Sequence, residues 1–321
     1  MLHSIAAAGV RLIALGVAFA YAASSVVSIA QNAAPAHQPS QAGAGPSLWQ
    51  IAFLVLLVGW LYASILFHLG KQWVSDDNFS HGFFVPAFSL FVLWQDRALI
   101  ASRARQSSFW GLPIIVLALL VLVVGVLGAE LFLSRVSLLL LIAGLVIFFC
   151  GWNFFRGVLF PWAVLILMIP IPVIVFTEIT FPLQILASKV AAFLLPLAGV
   201  PVLREGNVIY LPAMALEVAE ACSGIRSLLS LVTLAIIYGY LVEKRIWVRI
   251  ALAAASVPIA VAANSLRIVG TGLLVQYWDP DKAEGFFHTF SGWLVFVVSL
   301  VMLFLLHRLF LRRRRDEEAE A

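Results

Sequence analysis

The sequence predicts an all-α, polytopic transmembrane helix bundle, and three observations carry that expectation. Hydrophobic residues make up 63% of the 321 positions and charged residues only 11%, with a mean hydropathy of +1.05. A soluble domain of this length needs far more charge on its surface, so the solvent of this chain is lipid. Several apolar stretches reach the roughly 20 residues that a helix needs to cross the bilayer core, among them 48–69, 110–128, 131–150 and 287–310. No segment shows the alternation of about ten residues expected of a barrel strand, which leaves helices as the structure that satisfies the backbone in lipid.

The third observation is the placement of charge. Arg97, Arg103 and Arg105 share one loop, Arg156 sits in a second, Lys244, Arg245 and Arg249 in a third, and Arg312 to Arg315 in the tail. Between them fall mainly acids: Asp76, Asp77, Glu130, Glu205, Glu217, Glu220, Asp279, Asp281 and Glu284. By the positive-inside rule the basic loops are cytoplasmic and the acidic ones face outward. Basic residues spread as helix flanks do not form a nucleic-acid surface, and the run RRRRDEEAEA reads as a topology signal with a solvated end.

Taken in order, residues 1–47 hold an N-terminal hydrophobic segment (12–30, behind Arg11) and a flexible linker, QNAAPAHQPSQAGAGPS. The hydrophobic segment is a first membrane helix or a cleaved signal, and its orientation conflicts with that of the core if Arg11 lies inside. The membrane domain spans 48–310, with about eight core helices expected near 48–69, 84–97, 110–128, 131–150, 155–176, 221–242, 246–277 and 287–310. Residues 311–321 form a charged cytoplasmic tail. One stretch breaks the pattern. Residues 178–199 are long enough to span, yet Lys189 lies in their middle and Pro182 and Pro196 bracket it. A crossing there would turn Lys244 and Arg245 outward, so the stretch is read as an interfacial or re-entrant amphipathic segment on the outer face. The run REGNVIYLPAMALEV that follows carries a Gly-Asn turn between short apolar stretches and suggests a small hairpin.

Ionisable groups inside apolar segments cost about 2.5–3.5 kcal/mol at a helix centre and usually mark function. Three C-terminal helices carry them: ACSGIRSLL with Cys222 and Arg226, ANSLRI with Asn264 and Arg267, and GFFHTFSGW with His288. Topology brings three of these residues to one leaflet. The helix from 221 runs inward to Lys244, so Cys222 is at its outer end. The next helix starts inside at about Ile246 and rises about 1.5 Å per residue, so Arg267 lies roughly 30 Å along, at the outer boundary again. The last helix starts outside near Phe287 and ends in the arginine tail, so His288 is also outermost.

The chemistry of that trio is acyl transfer. A thiolate is the nucleophile, and a helix N-terminus or nearby cations lower its pKa. A histidine draws the thiol proton and later protonates a leaving amine. An arginine holds a carboxylate or an oxyanion. Each residue also has a plain role: a small packing thiol, an interfacial imidazole, a snorkelling guanidinium. A disulfide with Cys150, the only other cysteine, would need Cα atoms within about 7 Å, whereas topology puts Cys150 at the opposite, cytoplasmic end of its helix.

EACSGIRSLL, then NSLR about 40 residues on, then a histidine 20 residues further, resemble the exosortase/archaeosortase family of membrane transpeptidases, and SDDNFSHGFFVP (75–86) with the following LWQDR resembles the bacterial exosortase signature. The resemblance covers about 48–310. It implies that Cys222 is the nucleophile, Arg267 the catalytic arginine and His288 the third member of the site. It implies a bacterial inner-membrane protein with its site facing the periplasm or exterior and its C-terminus cytoplasmic. The implied substrates are exported proteins whose C-terminal sorting signal joins a Pro-Glu-Pro type motif, a transmembrane helix and a basic cluster. Cleavage near the motif passes the protein to an unknown acceptor, in connection with exopolysaccharide or surface assembly. Around the trio, Arg226 is either a supporting cation or a snorkelling side chain. Asn264 is suited to an interhelical hydrogen bond. Glu217 and Glu220 either orient a base or are solvated loop acids, and His81 in NFSHG is a loop residue with a structural or a catalytic role. No cofactor, metal-ligand spacing or phosphate-binding loop is found, and no nucleic-acid partner is expected. Two other functions compete: a polysaccharide-precursor transporter or flippase, which would need polar groups along a midplane pathway, and a non-catalytic assembly scaffold.

Overall fold

The computed structural model describes residues 48–218, 225–277 and 286–320. The expected helix at 12–30 and the linker 31–47 lie outside the described residues. Within them the chain is a helical membrane protein, with one small sheet. Five helices are long and apolar enough to cross a membrane by length and composition: Ala52–Ser75, Leu131–Cys150, Val173–Leu197, Ile246–Tyr277 and Gly292–Arg312. Shorter apolar helices at Gly111–Leu127, Trp152–Met168 and Arg226–Val242 complete the set. The chain packs as two compact units, one made of Leu48–Ser75 with Gly82–Pro170, the other of Asp76–His81 with the chain from Ile171 onward.

The first unit contains α1 (Leu48–Ser75), α2 (Phe84–Gln95), α3 (Arg97–Ala101), α4 (Gly111–Leu127), α5 (Leu131–Cys150) and α6 (Trp152–Val164). Its core joins Leu61, Tyr62 and Ile65 of α1 to Ile115, Ala118 and Leu122 of α4 and Leu138, Leu141 and Phe148 of α5. In lipid, close backbone approach replaces the hydrophobic effect as the source of helix association. The α4–α5 pair shows this. A Cβ on Gly111 would stand 2.4 Å from the Phe148 nitrogen, and one on Gly144 2.9 Å from the Ile115 nitrogen. Polar groups are matched across the helices: Tyr62 Oη lies 2.9 Å from Ser137 Oγ, and Trp162 Nε1 donates to the Leu139 carbonyl at 2.9 Å. The α4–α5 turn is fixed by Ala129 at φ 52° and by Glu130, whose carboxylate caps α5 by accepting from the Phe132 and Leu133 amides.

The expected single helix over 155–176 is corrected. After α6 the chain tightens into a 3-10 turn (Leu165–Met168), becomes extended at Ile169 (φ −88°, ψ 117°) and starts a new helix at Val173. Pro170 and Pro172, two prolines within three residues, account for the break: each disfavours the α region for the residue before it and removes a backbone donor. The new helix, α7 (Val173–Leu197), absorbs the stretch expected to begin at 178 and adds a turn ahead of it. It buries Phe176, Thr180, Gln184, Ala187, Ser188 and Ala191 and leaves Glu178 and Lys189 exposed.

In the second unit α7 is followed by β1 (Leu203–Glu205), β2 (Val208–Tyr210) and β3 (Ala215–Glu217), then α8 (Ile225–Val242), α9 (Ile246–Tyr277) and α10 (Phe286–Glu320). The strands form an antiparallel meander in the order β1-β2-β3. The expected hairpin is there, turned by Gly206 at φ 61°, and a third strand extends it. The sheet sits on α7 and α9: Ile209, Leu211 and Val218 share one core with Ala187, Ala191 and Leu195 of α7 and Ile268 and Val275 of α9. At the far end of α8 and α9, Glu243 fixes the turn that joins them, its carboxylate capping the connection by accepting from the Lys244 and Arg245 amides. Its carboxylate lies 3.5 Å from Nε2 of His307, whose Nδ1 meets Tyr238 Oη at 2.8 Å. The Arg245 amide, chiefly, holds the Glu243 carboxyl below the usual carboxylate range against the opposing effect of burial. A depressed folded-state pKa means that this cap stabilises at neutral pH and loses its contribution as pH falls through the depressed value.

Candidate active site

Arg267 is the described member of the trio whose surroundings are best defined. It lies 21 residues after Ile246 in one unbroken helix, about 30 Å along the axis, as the sequence reading expected. Ile268 beside it is buried in the core under the sheet, which leaves Arg267 half-buried at the rim of that core. Leu216, Glu217, Val218, Arg267, Ile268 and Thr271 line one small recess. Asn264, one turn earlier, is 2% exposed.

Two neighbours of Arg267 matter for chemistry. The first is Val218 at the exit of β3. Its amide donates to the Asn207 carbonyl at 2.9 Å, and its carbonyl accepts from Asn207 Nδ2 at 3.3 Å. Both backbone groups being tied to one residue, the strand leaves the sheet at a fixed point. The second is Gly292 of α10: a Cβ there would stand 4.0 Å from Arg267 Nη2. His288 belongs to the first turn of α10, and the register puts it one turn before Gly292, on the same helix face. Cys222 and Glu220 lie outside the described residues.

The segment 76–81 was expected as a loop and is a capped 3-10 turn. The Asp76 carboxylate accepts from the Asn78 amide at 3.0 Å and the Asp76 carbonyl from the Phe79 amide at 3.0 Å, an arrangement typical of Asx turns. Phe79 is buried, with its ring 6.0 Å from that of Phe176 and 6.4 Å from that of His81. His81 is therefore part of a packed turn. The turn delivers Asp77, whose carboxylate accepts from Arg226 Nη2 at 2.7 Å. The Arg226 guanidinium is thus held by an acid at the first turn of α8. Asp77 was not singled out as its partner in the sequence, where 149 positions separate the two.

The pair is exposed, with 57% and 70% of its side chains accessible, so its direct contribution is small. Asp77→Asn is expected to lower stability by at most about 1 kcal/mol, less at high salt. A charge swap, Asp77→Arg with Arg226→Asp, is expected to recover most of that loss, read as the thermal midpoint of the purified protein. A swap that only compounds the damage of the single variants would show that the ion pair is incidental. Among the described residues no group of three His, Cys, Asp or Glu side chains is placed to hold a metal.

A family model described as transmembrane exosortase matches residues 73–305. No curated protein matches, and no solved structure matches.

Proposed function

The chain belongs to the transmembrane exosortase family, whose members are membrane transpeptidases acting in protein sorting, and from that premise we propose a cysteine-dependent sorting enzyme. Cys222 is the nucleophile, Arg267 the stabilising cation and His288 the proton carrier. The substrates are exported proteins with a C-terminal motif, a membrane helix and a basic cluster. The site faces the outer side of the inner membrane, and the C-terminal tail is cytoplasmic. The work belongs to exopolysaccharide or surface assembly.

The observation that supports this reading is the convergence on Arg267 of the chain leading to the other two positions. Residue 222 follows Val218, in the Arg267 recess, by four residues, a reach of at most about 14 Å at about 3.5 Å per residue. Residue 288 precedes Gly292, against Arg267 Nη2, by one turn, about 6 Å. The exposed Glu178 and Lys189 on α7 favour a surface helix over a lipid-crossing one. A surface helix keeps Lys244 and Arg245 on the side of the other basic loops.

The chemistry follows. The His288 imidazole takes the Cys222 proton, and the thiolate adds to the scissile carbonyl carbon. A C–S bond forms while the carbonyl π electrons move to oxygen, where the Arg267 guanidinium stabilises the charge. Collapse breaks the C–N bond, and the imidazolium protonates the departing amine. An acceptor nucleophile then attacks the thioester, and Cys222 leaves as the thiol. A substrate anchored by its own helix presents its motif at the height of the site, which converts an encounter in three dimensions into one within the membrane plane. The test is co-expression with a tagged exported protein carrying such a signal, with mass spectrometry of its mature C-terminus. The expected product ends near the motif; an intact C-terminus would refute the proposal.

A further inference from the structure

Away from that site, the first unit contains a groove of about 360 Å³ among α2, α3, α5 and α6, within the roughly 300–1,000 Å³ range of small-molecule pockets. Its walls are apolar, formed by Leu93, Ile142, Val146, Phe155, Val158 and Trp162. The one hydroxyl in the lining, Ser89, donates to the Pro161 carbonyl at 2.8 Å, so the interior offers nothing to a polar ligand. The mouth is different in kind. Arg97 and Arg105 both line it and both are exposed. Aromatic rings hold them in position: the Arg97 guanidinium lies 4.7 Å from the Trp94 ring centroid, and that of Arg105 lies 5.4 Å from Phe154. Arg97 also donates to the Trp94 carbonyl at 2.8 Å. Among the described residues neither guanidinium has a carboxylate at ion-pair distance.

We infer that this groove binds one anionic phospholipid, with an acyl chain along the apolar walls and the headgroup phosphate between Arg97 and Arg105. Depth supports an acyl chain: from Ser89 to the end of α2 at Gln95 the helical rise is about 9 Å, and Arg97 lies beyond that end. Charge supports the headgroup, because paired guanidiniums match phosphate oxygens and basic pockets between membrane helices are a recognised form of anionic-lipid site. Exposed Trp94, Trp110 and Trp152 form the aromatic belt expected at the height of headgroups. Since Arg97, Arg103, Arg105 and Arg156 flank this end of the unit, the positive-inside rule assigns the site to the cytoplasmic leaflet. A zwitterionic lipid brings the same phosphate with an ammonium cation that two guanidiniums repel, so a lipid with net negative charge is preferred, and free phosphate has no use for the groove. The site is independent of the chemistry proposed for Cys222.

The test uses the full chain in nanodiscs of phosphatidylcholine mixed with phosphatidylglycerol, scored by native mass spectrometry for lipid retained after delipidation. The wild type is expected to retain one phosphatidylglycerol in preference to phosphatidylcholine. Arg97→Gln with Arg105→Gln should cut that preference roughly 20- to 30-fold, each guanidinium being worth about a factor of five. Arg97→Lys with Arg105→Lys keeps the charge and should keep most of the preference, which separates lost binding from lost folding. Val146→Trp, filling the groove, should release the lipid while the arginines remain. Equal retention of both lipids by the wild type, or an undiminished preference in the glutamine variant, would overturn the inference. Displacement of the lipid by inorganic phosphate alone would also overturn it, by showing an anion site that needs no acyl chain.

Discussion

Replacing Cys222 with Ala is expected to reduce processing of a co-expressed substrate by at least about 10³-fold, the scale seen when a covalent nucleophile is removed. Membrane expression should be unchanged, because the substitution removes only one sulfur atom from the chain. Cys222→Ser is the more demanding variant. It restores a nucleophilic atom of nearly the same size, but a hydroxyl is almost wholly protonated where a thiol is partly ionised. If Cys222 acts as thiolate, serine should be close to inactive as well; if it is a packing residue, serine should process normally. The assay is the ratio of full-length to trimmed substrate on an immunoblot. Cys150 provides the control: it is a free thiol in the first unit, and Cys150→Ser is expected to leave processing intact.

The second large effect is expected at Arg267. Loss of a preorganised oxyanion donor costs about 10²–10³ in turnover, and Arg267→Ala should fall in that range. Arg267→Lys separates charge from geometry. Lysine keeps the charge but loses the planar fork and some reach, so if the role is electrostatic and geometrically demanding, little activity should return. The position at the rim of a tightly packed core makes the readout clean: Ile268 carries the packing, while Arg267 is half-buried at its edge. Arg267→Ala should therefore shift the thermal midpoint little while cutting turnover by about 10²–10³. A large loss of stability with proportionate loss of processing would assign the residue to the fold instead.

Much of the architecture was legible because membrane helices announce themselves through length and the absence of charge. The helix at 131–150 was legible as an uninterrupted apolar run, and the structure shows what bounds it: the Glu130 carboxylate caps its start and Gly151 (φ 84°) ends it. Residues 155–176 misled because continuous apolarity hides a break that Pro170 and Pro172 impose on the backbone. The hairpin turn was visible in Gly206-Asn207, whereas β3, three residues long, is too short to show a period. Within the site, the distance of Arg267 along its helix needed only the helical rise, and the continuous helix from Ile246 to Tyr277 gives it that position. Contacts between distant segments were out of reach: Asp77 with Arg226, or Glu243 with His307, depend on how helices pack and leave no local pattern. Arg97 and Arg105 were read as topology markers alone, because a groove is a property of the assembled bundle.

The proposal stands or falls on whether residues 222 and 288 lie side by side against Arg267. A disulfide is the direct ruler, since it forms only when Cα atoms come within about 7 Å. In a Cys150→Ser background, His288→Cys pairs a new thiol with native Cys222, and a protease site inserted between Lys244 and Arg245 separates the two helices for detection. Mild oxidation is expected to hold the two fragments together until a reductant is added. Two thiols that both react with a membrane-impermeant maleimide yet never link to each other would contradict the account.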